Sequence, residues 1–280
     1  MTVLKGIPRA GVIGWPVGHS LSPRIHRFWL NQLGIEGRYE AVVVSPDWLG
    51  DTIDSFRIAG WRGFNVTVPH KETIMPLLDG LDPAAQAIGA VNTVVARGDG
   101  GFEGRNTDAP GFIASLRATC TVRTDSPAVV LGAGGAARAI LAALNDAGVR
   151  EIRIANRDRT RAEALVASFP ATVIDWADRE RMLEGAGLLV NATSLGMSGQ
   201  PPLEIALDRL STTATVTDIV YRPLTTDLLA RAAARGNPTV DGLGMLLYQA
   251  VEGFAAWFGV TPQVTPALRG HVLAAISHGA

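Results

Sequence analysis

The chain has 280 residues, 47% hydrophobic and 18% charged, with a formal net charge of −1, a soluble globular composition with room for about two domains. The near-neutral balance gives no reason to expect nucleic acid or an anionic membrane as partner, no apolar run reaches membrane-spanning length, and the N-terminus lacks a signal-peptide pattern. The single Cys120 excludes an internal disulfide and suits a reducing compartment, so the expectation is a cytoplasmic protein whose sequons at Asn65 and Asn191 stay unglycosylated.

Residues 10–14 predict a short buried strand ending in glycine, and 15–23 a loop. Ser22 before Pro23 marks a helix start, with serine as N-cap, and that helix runs to about Leu33. A strand over 38–44 and a helix over 46–59 follow. Residues 63–68 predict a strand that Pro69 ends, and His70-Lys71-Glu72 opens a helix reaching Leu77 or Leu78. A helix over 83–88, a strand over 91–96 and a turn-rich 98–101 come next. Asn106-Thr107-Asp108 then precedes a helix over 109–117. Strands alternate with helices, so this half is α/β.

A polar stretch, 119–127, leads to the pattern at the centre of the chain. Residues 128–131 are apolar, Gly132-Ala133-Gly134-Gly135 follows, and an alanine-rich run reaches Ala147 before Gly148. This predicts a strand, a tight turn and a helix. Gly132 permits the turn, Gly134 removes a side chain where a pyrophosphate comes close, and Ala137 lets helix pack on strand. The amides at the helix start face the anion. A phosphate loop of the Lys-Ser/Thr type is disfavoured because no such pair follows. Beyond it come strands over 151–155, 172–174, 188–190, 215–220 and 239–240, and helices over 159–169 and 224–235, a doubly wound parallel-sheet pattern. Two apolar helices, 244–258 and 266–276, close the chain.

The strand after the glycine turn ends in Asn156-Arg157-Asp158-Arg159-Thr160-Arg161. An acidic residue there binds a ribose hydroxyl in NAD sites, whereas guanidinium groups hold the 2′-phosphate of NADP. The arginines favour NADP, and Asp158 dissents. Ser20 and Ser22 lie two apart, so in an extended segment both hydroxyls face one way and suit an anionic group. Lys71 and Asp108 suggest an ammonium oriented by a carboxylate in proton transfer. The five histidines show no metal-ligand spacing, so no metal is expected.

Several motifs, taken together, resemble the shikimate dehydrogenase family along nearly the whole chain. They are Val12-Ile13-Gly14-Trp15-Pro16 with His19-Ser20-Leu21-Ser22-Pro23, the run from Gly63 to Lys71, Gly89-Ala90-Val91-Asn92-Thr93 and Gly104-Arg105-Asn106-Thr107-Asp108. Gly132 to Ala137, Asn156-Arg157, Asn191-Ala192-Thr193 and Asp241-Gly242-Leu243-Gly244-Met245 complete the set. The resemblance implies an N-terminal α/β substrate domain, 1–108, completed by C-terminal helices, 243–280, and a Rossmann-like NADP domain over 109–242. It implies NADPH-linked interconversion of 3-dehydroshikimate and shikimate, by a monomer or homodimer. Ser20, Ser22 and Tyr221 would hold the substrate carboxylate. Thr67, Asn92, Asp108 and Gln249 would bind ring hydroxyls, with Asn65 close by. Lys71 would be the acid/base, paired with Asp108. Gly132, Ala133, Gly134, Gly135 and Ala136 would hold the pyrophosphate, Asn156, Arg157 and Arg161 the adenosine phosphate, and Thr193, Ile219 and Gly242 the nicotinamide side. The family often has a small residue where this chain has Asp158. That departure supports an alternative, an NAD-linked quinate/shikimate dehydrogenase. A non-catalytic nucleotide-binding regulator would keep the glycine turn without needing Lys71, Asp108 and both serines, and a structural protein with an incidental glycine turn would bind neither cofactor.

Overall fold

A computed structural model describes residues 6–277; residues 1–5 and 278–280, the outer ends of the segments 1–108 and 243–280, lie outside the described part. The described chain forms two compact units, one running up to Thr107 and resuming at Gln249, the other Asp108–Tyr248.

The first unit is built on a mixed sheet. Its elements are β1 (Arg9–Gly14), α1 (Ser22–Gln32), β2 (Arg38–Val43), α2 (Leu49–Ile58), β3 (Gly63–Val66), β4 (Gly80–Leu81), α3 (Pro83–Ile88), β5 (Thr93–Ala96) and β6 (Phe102–Arg105). Strand order is β2-β1-β3-β5-β6-β4. β1 runs parallel to β2 and β3, and β5 is antiparallel to β3 and β6. One core gathers Ile13, Ile53, Phe64, Ile74 and Phe102. Burying each such side chain contributes roughly 1.5–3 kcal/mol.

The second unit comprises α4 (Asp108–Thr119), β7 (Ala128–Leu131), α5 (Gly135–Asp146), β8 (Ile152–Ala155), α6 (Arg159–Val166), β9 (Thr172–Val173), β10 (Leu188–Asn191), β11 (Thr215–Asp218), α7 (Asp227–Ala234), β12 (Thr239–Val240) and the first part of α8 (Gly242–Phe258). The rest of α8 and α9 (Pro266–Ser277) belong to the first unit. The strand order β12-β11-β10-β7-β8-β9 is parallel throughout. The chain starts this sheet at β7, builds outward to β9, then returns to β7's other side at β10. That reversal is the topological switch point of a doubly wound, Rossmann-like fold, the place where such sheets bind ligands. Continuous apolar strands, buried on both faces, are what a parallel sheet between helices requires.

Three local expectations are corrected. No α-helix forms over 70–77: turns lead to a 3-10 helix at Met75–Leu77. The Lys71 carbonyl accepts from Val91 N–H at 2.7 Å, while Met75 N–H turns to the Glu72 carbonyl. Pro76 has no N–H to continue a ladder. Ser22 is not an N-cap: it is the first helical residue, behind Leu21, and its amide donates to Ser20 Oγ at 3.3 Å. The helix expected to open at 224 starts at Asp227, because Thr226 caps it by accepting from Leu229 N–H. Two strands also escaped the sequence reading, β4 and β6.

Candidate functional site

In the first unit the polar side chains lie around the ends of β1, β3 and β5. Asn65 is 5% exposed; its Oδ1 accepts from Tyr39 Oη–H at 2.5 Å, and its Nδ2 donates to the Asn92 carbonyl at 3.2 Å and to Thr93 Oγ1 at 3.0 Å. Asn92 Oδ1 accepts from Thr107 N–H at 2.7 Å, and Asn92 Nδ2 donates to Gln249 Oε1 at 3.4 Å. Asn65, Asn92 and Gln249, far apart in sequence, therefore belong to one buried hydrogen-bonded cluster. Amide side chains of this kind both donate and accept, the chemistry that recognises a polyhydroxylated ligand.

Thr67 and Lys71 stand on the segment after β3. Thr67 N–H donates to the Ile13 carbonyl at 3.0 Å, and Thr67's own carbonyl accepts from His70 N–H at 3.0 Å. The His70 ring is fully buried, with Nε2–H donating to the Val44 carbonyl at 2.7 Å. The backbone of Lys71 is thus pinned on both sides, by the His70 ring and by Val91, while its side chain is half-buried. Ser20 and Ser22 lie together at the start of α1.

Tyr39, which sequence reasoning missed, joins these groups. Its hydroxyl hydrogen-bonds both Asn65 and the Ser22 side chain, and burial pushes its pKa up, against the pull of Ser22. The available signal was a hydroxyl-bearing aromatic inside a short strand. Beside it, His26 stacks on the Tyr39 ring at 3.9 Å.

In the second unit the glycine turn has the geometry a dinucleotide needs. Gly132 has φ +112°, a region side chains disfavour, and a Cβ there would lie 2.8 Å from the Ala192 carbonyl oxygen. Gly134 differs. Its backbone is extended, at φ −100° and ψ −173°, and a Cβ would meet nothing within 4 Å. Neither backbone nor packing demands glycine there, which fits a ligand approaching that spot. It caps α5 without any side-chain hydrogen bond, so Gly135 and Ala136 open a helix whose first amides suit an anion. Ala137 is fully buried.

Beyond β8, Asn156 Nδ2 donates to the Asp158 carbonyl at 2.8 Å and fixes the turn. Arg157 is exposed. Arg161 Nε lies 4.0 Å from the Asp158 carboxylate, which offsets that charge. Arg159 is committed elsewhere, to Glu163 at 2.7 Å and Asp175 at 2.5 Å. Cationic groups around a fixed turn match a phosphate better than a ribose hydroxyl.

Thr193 follows the end of β10, Ile219 follows the end of β11, and Gly242 opens α8. A Cβ on Gly242 would collide with the Ile219 carbonyl, and one on Gly132 would lie 3.1 Å from Thr193 Cγ2. Tyr221 follows β11, and burial raises its pKa, against the pull of Arg222. Asp108 is 7% exposed and opens α4. Among the described residues no metal-type cluster forms, and no helix is long and apolar enough to cross a membrane.

The chain matches known families and solved structures over most of its length. Residues 12–94 match the shikimate dehydrogenase substrate binding domain, 117–198 the shikimate / quinate 5-dehydrogenase family, and 242–269 the shikimate 5′-dehydrogenase C-terminal domain. A shikimate dehydrogenase (NADP(+)) from Paramagnetospirillum magneticum is 60% identical over 268 residues, covering 94% of this chain and 97% of that protein. The crystal structure of shikimate 5-dehydrogenase from Thermus thermophilus, in complex with NADP(H) and shikimate, is 38% identical with a TM-score of 0.86, covering 98% of this chain and 100% of that one. Quinate dehydrogenase from Corynebacterium glutamicum in complex with NAD is 31% identical with a TM-score of 0.89, covering 96% and 99%.

Proposed function

The chain belongs to the shikimate dehydrogenase family, and on that premise we propose that it catalyses the reversible NADPH-dependent reduction of 3-dehydroshikimate to shikimate, in the pathway to chorismate and the aromatic amino acids. The observation that carries this reading is the pairing, on one chain, of a buried polyol-type amide cluster beside the Lys71 segment with a glycine cradle and exposed Arg157.

Segments 1–108 and 243–280 bind substrate, and 109–242 binds NADP. Ser20, Ser22 and Tyr221 donate hydrogen bonds from their hydroxyls to the substrate carboxylate. Asn65, Thr67, Asn92, Asp108 and Gln249 hold the ring hydroxyls and set which carbon faces the cofactor. Lys71 accepts the proton of the reacting hydroxyl during oxidation. In reduction its ammonium returns that proton to the forming alkoxide, and its charge stabilises the oxygen as negative charge develops. Asp108 orients the amine. Gly132, Ala133, Gly134, Gly135 and Ala136 hold the pyrophosphate with backbone amides. Asn156, Arg157 and Arg161 hold the adenosine phosphate, and Thr193, Ile219 and Gly242 border the nicotinamide. Bound NADP supplies the hydride acceptor, and NADPH the donor. The setting is cytoplasmic, and the assembly is a monomer or homodimer.

Lys71→Ala tests the assignment. The expected outcome is a kcat lower by about 100-fold or more with little change in KM for shikimate, because the lost interaction belongs to the transition state. A kcat within about threefold of wild type would remove Lys71 from this role.

A further inference from the structure

Asn191 closes β10 and Asp218 closes β11, and the two face each other in the parallel register. Both are fully buried. Asn191 Nδ2 donates to Asp218 Oδ1 at 3.0 Å and to the Leu195 carbonyl at 3.0 Å. Asp218 Oδ1 also accepts from Val220 N–H at 3.0 Å, and Oδ2 from Thr226 Oγ1–H at 2.7 Å. Asn191 Oδ1 in turn accepts from Thr193 N–H at 3.1 Å and Thr193 Oγ1–H at 2.7 Å, and Thr193 Oγ1 accepts from Leu195 N–H at 3.0 Å.

A carboxyl at this depth is a costly way to tie two strand ends. Burial raises its pKa, and three hydrogen-bond donors oppose that shift. Apolar packing would join β10 to β11 with no desolvation penalty. What an apolar pair cannot do is dictate the path of the two loops atom by atom. This pair does so on both sides. Asn191 fixes the Thr193 amide and rotamer, and Asp218 fixes the Val220 amide, immediately after Ile219. Ile219 N–H itself donates to the Asn191 carbonyl at 3.1 Å.

We infer that Asn191 and Asp218 are positioning residues for hydride transfer: their buried hydrogen bonds hold Thr193 and Ile219 in the geometry that orients the nicotinamide ring. The inference rests on the proposed function, which places the nicotinamide against those two residues. The adenosine half, held beyond β8, lies outside their hydrogen bonds. A loose ring would slow the hydride step without releasing the rest of the cofactor, and a misplacement of about an ångström costs roughly 100-fold in rate.

The test uses Asp218→Ala and Asn191→Ser in the full chain, with adenosine 2′,5′-bisphosphate and NADP as binding probes in calorimetry. Both variants are expected to bind the bisphosphate within about twofold of wild type, to bind NADP about fivefold or more weakly, and to lose about tenfold or more in kcat. The deuterium isotope effect with NADPH labelled at the transferred position is expected to rise, because hydride transfer becomes rate-limiting. Equal weakening of both probes, or a lower kcat with an unchanged isotope effect, would reduce the pair to a purely structural role and overturn the inference. So would unchanged kcat. If Asp218→Ala does not fold, Asn191→Ser decides by the same readouts. Wild type is the control for the underlying reading: if it fails to turn over shikimate with NADP, the proposed function fails, whereas active wild type with unaltered variants sinks this inference alone.

Discussion

Three arginines follow β8, and their surroundings separate them. Arg159 is engaged by Glu163 and Asp175, Arg161 lies beside Asp158, and Arg157 stands exposed in the middle of a turn that Asn156 holds. The sequence showed a basic cluster with one dissenting carboxylate; it did not show which guanidinium is free, because ion pairing depends on rotamers and on Asp175 from a later turn. Arg157→Ser is expected to raise the KM for NADP about tenfold or more while changing that for NAD less than about threefold, as loss of a charge-assisted phosphate contact predicts. Equal changes for both cofactors would show that Arg157 does not face the phosphate. The glycines were legible for a related reason: positive φ at Gly132 is demanded by the backbone itself. Tyr39, Asn191 and Asp218 were not legible as partners, because their significance is the hydrogen bond each makes across the sheet.

Among the elements, β7 and β10 were the easiest to read, since burial on both faces leaves the apolar runs Ala128–Leu131 and 188–190. The segment after β3 misled for a specific reason. Its composition suits a helix, yet Val91 claims the Lys71 carbonyl that a helical ladder would need. β6 escaped because Phe102-Glu103-Gly104-Arg105 hides its alternation behind a glycine and two charges beside a turn. The packing of α1, β2 and α8 carries a consequence for stability. His26 is fully buried among Tyr39, Trp29, Phe254 and Trp257, and burial lowers its pKa to about 3, against a weaker pull from the Asn65 side chain. Between about pH 6.5 and about 3 the unfolded chain binds a proton there and the folded chain does not, so stability falls as pH falls. The contribution reaches about 3 kcal/mol by about pH 4. Asp82, Asp218 and Glu252, raised by burial, act with the opposite sign. The readout is therefore a difference: urea unfolding of wild type should weaken faster with acid than that of His26→Phe. Parallel pH dependence in the two would mean that His26 is solvated or paired.

At the scale of the whole molecule, the chain carries two α/β units, each with its own sheet and its own core. The alternation of strands and helices announced both. Where one unit yields to the other was harder to see, because the chain passes directly from Thr107 into α4 and crosses back within α8, with no linker to mark either point. The chemistry assigned to the pair is redox exchange between a phosphorylated nicotinamide and a cyclic hydroxy acid. Its most direct test is the initial rate of shikimate oxidation by the purified protein, followed through reduced-cofactor absorbance with NADP and NAD in parallel. The account predicts turnover with NADP and a kcat/KM for NADP about tenfold or more above that for NAD. No oxidation of shikimate, or a rate with NAD that equals or exceeds the rate with NADP, would contradict it.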